Sequence, residues 1–284
     1  MTGAQGIKMK LILEYIDKNS FIHNLTGATK LICFILWCVV TIITYDTRLL
    51  IFLIVLSVFL FKLSKIKFRD ISFVITFILI FLLLNNILIY AFGPNTGPEI
   101  YGTKTILLNF NNAYSITAEQ LFYQLNITLK YFSVIPISLL FILTTNPSEF
   151  AASLNKIGIN YKISYAISLA LRYIPDIIED YKNISLSKQA RGIDMSKNEK
   201  LSIRIKNMFF IIIPIIFSSI NRIDKISCAM ELRGFGYKKK RTWYTQRKFK
   251  INDIVSILFF IILDLIAIWL FYMNNGRFFN PFIK

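Results

Sequence analysis

Long apolar runs alternate with short polar breaks along this chain. Residues 28–45 form the first run, with Lys30 near its start, and Asp46-Thr47-Arg48 ends it abruptly. Residues 49–63 are a second, rather short run, and residues 71–92 a third, with Asn85 and Asn86 inside it. Residues 131–145 are a fourth, which the amphipathic stretch 117–130 can extend outward. Residues 254–273 are a fifth and carry Asp264 near the middle. A membrane helix needs ~20 mostly apolar residues, with ~17–25 the usual range. The pattern predicts about five transmembrane helices.

Between the fourth and fifth runs the period changes. Ile163, Ala166, Ala170, Ile174, Ile177, Tyr181 and Ile184 recur at spacings of three and four, as do Phe209, Ile212, Ile216, Ile220, Ile223, Ile226 and Met230. Both series predict long amphipathic helices. A shorter helix is expected over residues 147–156, started by Asn146 or Ser148. Pro175 and Pro214 should interrupt and kink the long helices. Residues 208–217 are very apolar but too few to span, and are expected to lie against the membrane or the other helix. The expected fold is all-α: a polytopic membrane protein with a soluble domain of long amphipathic helices. Its parts are membrane helices over 1–146, the amphipathic domain over 147–250 and a last transmembrane helix in 251–284.

Charge orients this arrangement. Of the net +17, residues 147–250 hold 20 basic and 8 acidic side chains, a net of +12, against +5 for the remainder. Lys62, Lys65, Lys67 and Arg69 lie between spans two and three, whereas residues 93–129 hold only Lys104. Basic short loops stay inside, so the N-terminus and the 147–250 domain are expected in the cytoplasm and the C-terminus outside. No secretory signal pattern opens the chain. One His and three Cys leave almost nothing for a metal site, and Cys33 and Cys38 read as small apolar filler. No GxxxxGK[ST] phosphate loop occurs, so the chain is not expected to hydrolyse ATP or act as an enzyme.

Each long helix is expected to end in an Arg-Gly pair. The first is Gln189-Ala190-Arg191-Gly192 and the second Glu231-Leu232-Arg233-Gly234, followed by Phe235-Gly236; the two arginines stand 42 positions apart. A glycine after the last turn suits a left-handed cap, and an arginine there suits the negative helix end. A guanidinium also binds carboxylates bidentately and stays charged when desolvated. Two such forks would suit two similar acidic grooves on a soluble partner.

With these motifs the chain resembles the transmembrane T component of energy-coupling factor transporters, vitamin- and cobalt-uptake relatives of ABC transporters. The resemblance covers nearly the whole chain. It rests on the N-terminal spans, Asn146-Pro147-Ser148-Glu149, Leu154-Asn155-Lys156-Ile157-Gly158, Leu171-Arg172-Tyr173-Ile174-Pro175 and the two Arg-Gly motifs. The family pattern has Ala-Arg-Gly twice; here Leu232 stands where the second alanine is usual. The resemblance implies a crossed pair of coupling helices, with Arg191 and Arg233 each docking in an acidic groove of one P-loop ATPase subunit. Ala190, Gly192 and Gly234 would permit the close approach. It also implies a separate small membrane subunit that binds the substrate, a prokaryotic plasma membrane, and ATP and Mg held by the partners, with no cofactor in this chain.

Other residues point elsewhere. Asp176 and Asp180 share a helix face, where a Mg-diphosphate site would need a second acidic cluster that the sequence lacks; a solvated face near Lys182 is the expectation, with pairing of Asp176 and Arg172 as a further alternative. Asp264 at mid-bilayer is costly, by ~2.5–3.5 kcal/mol on insertion scales; with no intramembrane base or repeat beside it, a neutral group hydrogen-bonded to a partner helix is expected, and a stand-alone channel or ion-coupled carrier is the alternative. Lys238, Lys239, Lys240 and Arg241 begin a basic run just before the last span. That position favours contact with anionic lipid over nucleic acid.

Overall fold

A computed structural model describes residues 15, 18, 20–66, 72–109, 115–192, 201–238, 242–244, 247–274 and 276–282. Lys67 and Arg69 of the expected inner loop, and Lys239, Lys240 and Arg241 of the basic run, lie outside them. Contacts gather the chain into two compact units, Met1–Asn146 with Arg247–Lys284, and Pro147–Gln246.

Helices α1 (Phe21–Asn24), α2 (Gly27–Ile43), α3 (Thr47–Leu63), α4 (Ser72–Phe92), α5 (Thr96–Tyr101), α6 (Ala118–Thr144) and α10 (Ile251–Met273) belong to the first unit. Each of the five apolar runs falls mainly in one helix, with Thr44, Tyr45 and Thr145 beyond the helix ends. Val74–Phe92, Ala118–Thr144 and Ile251–Met273 are long and apolar enough to cross a membrane. α2 and α3 have 17 residues each, which at ~1.5 Å per residue is about 25 Å of helix. The fourth run and the amphipathic stretch before it form one helix, which continues through Pro136.

The core forms where α2, α3, α6 and α10 meet around Trp37, Leu53, Ile137 and Leu263. Two buried charged groups of this unit are paired over long sequence distances. The carboxylate of Asp253, 1 % exposed, accepts from Thr26 N at 2.9 Å, Thr29 Oγ1 at 2.8 Å and Lys250 N at 2.8 Å. It thereby joins the start of α10 to the start of α2. Lys30, which interrupts the first apolar run, is buried with its Nζ donating to the Thr144 carbonyl at 2.7 Å. A cation there meets the negative end of α6.

Residues 93–109 and 115–129 hold more regular structure than their turn-rich sequence suggests. Strands β1 (Ile106–Asn109) and β2 (Ser115–Thr117) pair antiparallel, a small addition to the all-α architecture. Buried Glu119 accepts from Thr103 Oγ1 at 3.0 Å and Thr105 Oγ1 at 2.8 Å. Gln120 takes the Gly97 N–H at 2.7 Å. A Cβ on Gly97 would lie 2.5 Å from the Gln120 backbone, so only glycine allows this approach. The C-terminal residues return across the α2–α3 turn. Tyr45 N donates to the Arg277 carbonyl at 2.8 Å and Asn274 Nδ2 to Asp46 Oδ2 at 2.9 Å.

Helices α7 (Pro147–Lys156), α8 (Tyr161–Ala190) and α9 (Leu201–Leu232) make up the second unit. Proline at the first position of α7 has no N–H to leave unpaired there. α8 and α9 run on as helices through Pro175 and Pro214, where the sequence leads one to expect interruptions.

Candidate functional site

α8 and α9 lie side by side in opposite senses. Arg222 of α9 meets Asp180 at 2.7 Å and Asp176 at 3.9 Å, whereas Phe235, just past the end of α9, stacks on Tyr161 and Tyr165 near the start of α8, with ring centroids 5.7 and 4.8 Å apart. Going forward along the chain from Arg222 to Phe235 thus moves the contact backward along α8, from Asp180 and Asp176 to Tyr165 and Tyr161. The acids on α8 serve this interhelical bridge. The alternative pair, Arg172 with Asp176, is not among the ion pairs of the described residues.

This antiparallel order separates the two Arg-Gly ends. The end of α9 sits beside the start of α8, and Arg191 lies a full helix length away. With ~1.5 Å of rise per residue, roughly 40 Å of helix separates them. The site residues predicted from sequence therefore form two tips.

The tips share a cap geometry. At the first, Arg191 is the C-cap residue with φ −92° and ψ 13°, and Gly192 has φ +84° and donates to the Gln189 carbonyl at 3.0 Å. At the second, Gly234 has φ +65° and donates to the Glu231 carbonyl at 2.8 Å, while Phe235 N donates to the Met230 carbonyl at 2.9 Å. That pair of bonds is a Schellman cap. Among the described residues no heavy atom lies within 4 Å of a Cβ built on Gly192, and the left-handed backbone favours glycine there. Ala190, Arg191 and Gly192 are exposed, as is Arg233. Leu232, the residue that departs from the family pattern, is 90 % exposed. Its side chain projects from the tip without crowding it.

The second tip is braced by residues that helical periodicity does not reveal. Phe235 packs as described, Tyr165 also meets Trp243 at 6.4 Å, and Trp243 Nε1 donates to Asn155 Oδ1 at 3.1 Å. The only sequence signal for Phe235 is its place after a capping glycine, where an apolar residue often folds back onto the structure. Trp243 thus packs within the unit, while Tyr244 and Lys238 are exposed.

The apolar series on the long helices are largely open. Ile163, Ile174, Ile177 and Tyr181 on α8, and Phe209, Ile212, Ile216, Ile220 and Ile223 on α9, are exposed. In the apolar segment 208–217 the side chain of Ile211 is buried and most others are exposed. Continuous apolar surface of this kind marks contact with a partner or a membrane.

In the first unit, Asp264 is 8 % exposed, beside the core residues Leu263 and Phe260. Neither of its carboxyl oxygens has a hydrogen-bond partner among the described residues. Asn86, by contrast, is paired: its Nδ2 donates to the Leu82 carbonyl at 2.9 Å and to Thr128 Oγ1 of α6 at 3.1 Å.

Comparison with known proteins agrees with this architecture. The family model described as "Cobalt transport protein", CbiQ, matches residues 18–244. A curated relative from Staphylococcus aureus, the energy-coupling factor transporter transmembrane protein EcfT, is 26 % identical over 275 residues, covering 94 % of this chain and 99 % of the relative. EcfT of Streptococcus thermophilus is 29 % identical over 277 residues, covering 94 % and 99 %, and that of Streptococcus equi 28 % over 267 residues, covering 90 % and 95 %. The match to the family model spans most of the chain, and this membrane protein belongs to the CbiQ family, the family of energy-coupling factor T components.

Proposed function

We propose that this chain is the coupling subunit of an energy-coupling factor importer in a prokaryotic plasma membrane, taking up a vitamin or metal ion. The observation that carries this reading is the pair of exposed Arg-Gly tips, capped alike and separated by roughly 40 Å of helix. Two tips that far apart suit two copies or two relatives of one partner. In this reading Arg191 docks in an acidic groove of one P-loop ATPase subunit and Arg233 in that of the other. Ala190, Gly192 and Gly234 keep each tip slim. The ATPases hold ATP and Mg, and this chain performs no catalysis. A small membrane subunit that binds the substrate rests on the exposed apolar stripes of α8 and α9. Closure of the ATPases on ATP moves the tips, and the helices carry that motion to the substrate-binding subunit. The N-terminus and the 147–250 domain are cytoplasmic, and the basic residues 238–241 meet anionic lipid.

A mild-detergent pull-down of the tagged chain tests this. Two P-loop ATPases and a small hydrophobic subunit should copurify, and the ATPases should be lost when Arg191 and Arg233 are both replaced by alanine. Truncating one partner of a buried charge pair costs about 2–5 kcal/mol, enough to empty the docking site. A chain that stays alone when ATPases are added would overturn the proposal.

A second reading rests on Asp264, buried without a hydrogen-bond partner among the described residues. A carboxyl group so placed could serve an ion path in a channel or carrier. That reading requires Asp264→Asn to abolish transport with no ATPase present.

A further inference from the structure

α4 is the least enclosed of the long spans. Of its apolar stretch Val74–Phe92 6 % is buried, against 39 % for Ala118–Thr144. Its C-terminal half is held to α6 by side-chain amides: Asn86 donates to Thr128, Gln124 Nε2 to the Asn86 carbonyl at 3.2 Å, and Gln120 Nε2 to the Gly93 carbonyl at 3.1 Å. Nearer its N-terminal end, α3, α4 and α6 part around a cleft of about 180 Å³. The walls include Val58 and Phe61 from the last turns of α3, Ile78 and Leu79 from the first turns of α4, and Phe132 and Leu139 from α6. Val58, Leu79 and Phe132 form open lips, 39 %, 46 % and 41 % exposed.

Cations stand at one end of this apolar slot. Val58, Phe61 and Lys62 recur at spacings of three and four on one face of α3. Lys65 follows in the turn, and Lys18 Nζ donates to the Lys65 carbonyl at 2.8 Å. Two exposed lysines and the Lys18 ammonium thus lie at the end of α3.

We propose that the cleft and Lys62 with Lys65 form one site for an anionic phospholipid, an acyl chain in the cleft and the phosphate at the lysines, with Lys18 adding to the field. A volume of about 180 Å³ is too small for a helix, whose diameter is ~10 Å or more. Its volume exceeds that of a dry cavity of ~150 Å³ that takes up benzene, so it holds several methylenes. What bathes its open lips between spanning helices is acyl chain. Basic groups at the cytoplasmic ends of such helices select anionic headgroups. The bound lipid fills the space between the loosely packed half of α4 and its neighbours.

The test is native mass spectrometry of the full chain in mild detergent with equimolar phosphatidylglycerol and phosphatidylcholine. Wild type should retain one phosphatidylglycerol in preference to phosphatidylcholine. Each lysine is worth roughly a fivefold preference, so the Lys62→Gln/Lys65→Gln variant should bring the two lipids close to parity. Both lysines are exposed and the variant should fold. Leu79→Trp, which fills the cleft, should lose the retained lipid of either kind. Equal retention by wild type, an unchanged preference in the lysine variant, or a retained lipid in a folded Leu79→Trp protein would each overturn the proposal.

Discussion

Arg222 of α9 reaches across to Asp180 of α8 and fixes the two long helices to each other, with Nη2 2.7 Å from Oδ2. The side chains are 32 % and 28 % exposed, so solvent screens the pair only in part. Tyr173 lies under the guanidinium, its ring centroid 5.6 Å away. A double-mutant cycle between Asp180→Asn and Arg222→Gln should give a coupling of about 1 kcal/mol, above that of a fully exposed pair. Thermal unfolding of the four proteins measures it, and no coupling would show that the helices are held by other contacts.

The capping glycines make a different prediction. Gly192→Ala and Gly234→Ala each place a Cβ on a left-handed backbone, which costs about 1–2 kcal/mol. Neither substitution meets a hard contact, since the Cβ at Gly234 comes no closer than 3.6 Å to Tyr237. Each should loosen only its own tip. Hydrogen exchange should rise at the last turn of the affected helix and stay unchanged at the other.

Phe235 holds the second tip through Tyr161 and Tyr165. Phe235→Ala removes both stacking contacts and should weaken the partner docked at Arg233 while sparing the one at Arg191. Binding assays with each ATPase subunit alone distinguish the two. Equal loss at both tips would mean that Phe235 supports the unit as a whole.

Asp253 gathers three donors at the junction of α2 and α10. Asp253→Ala leaves the Thr26 and Lys250 N–H groups without their acceptor and should destabilise the chain by about 2–4 kcal/mol. The expected readout is a clear fall in unfolding temperature in detergent. Asn at this position keeps the shape and one acceptor and should cost less.

Much of this architecture was readable from the chain because spanning helices obey one strong rule, the length of an apolar run. Each of the five runs falls mainly in one helix, three of these helices are long and apolar enough to span, and the period of three and four located α8 and α9. The glycine after each motif arginine likewise predicted a left-handed cap, and Gly192 and Gly234 have that conformation. What the pattern concealed depends on residues brought together from afar. Asp253 meets Thr26 over 227 positions, and Lys30 meets Thr144 over 114. Lys30 read as an interruption because its acceptor is a backbone carbonyl, which carries no side-chain signature. β1 and β2 escaped notice because strands of four and three residues are too short to show alternation. The acids of α8 pointed inward along their own helix in the sequence, to Arg172, whereas their partner Arg222 lies on the next helix. The two candidate tips were legible as two tripeptides, but their separation was not, since it follows from the antiparallel order of α8 and α9.

In the proposed function the two tips dock two ATPase subunits independently. Native mass spectrometry of the chain mixed with its P-loop ATPases counts how many remain bound. Wild type should carry two, Arg191→Ala and Arg233→Ala one each, and the double variant none. Two ATPase subunits still bound to the double variant would contradict the account.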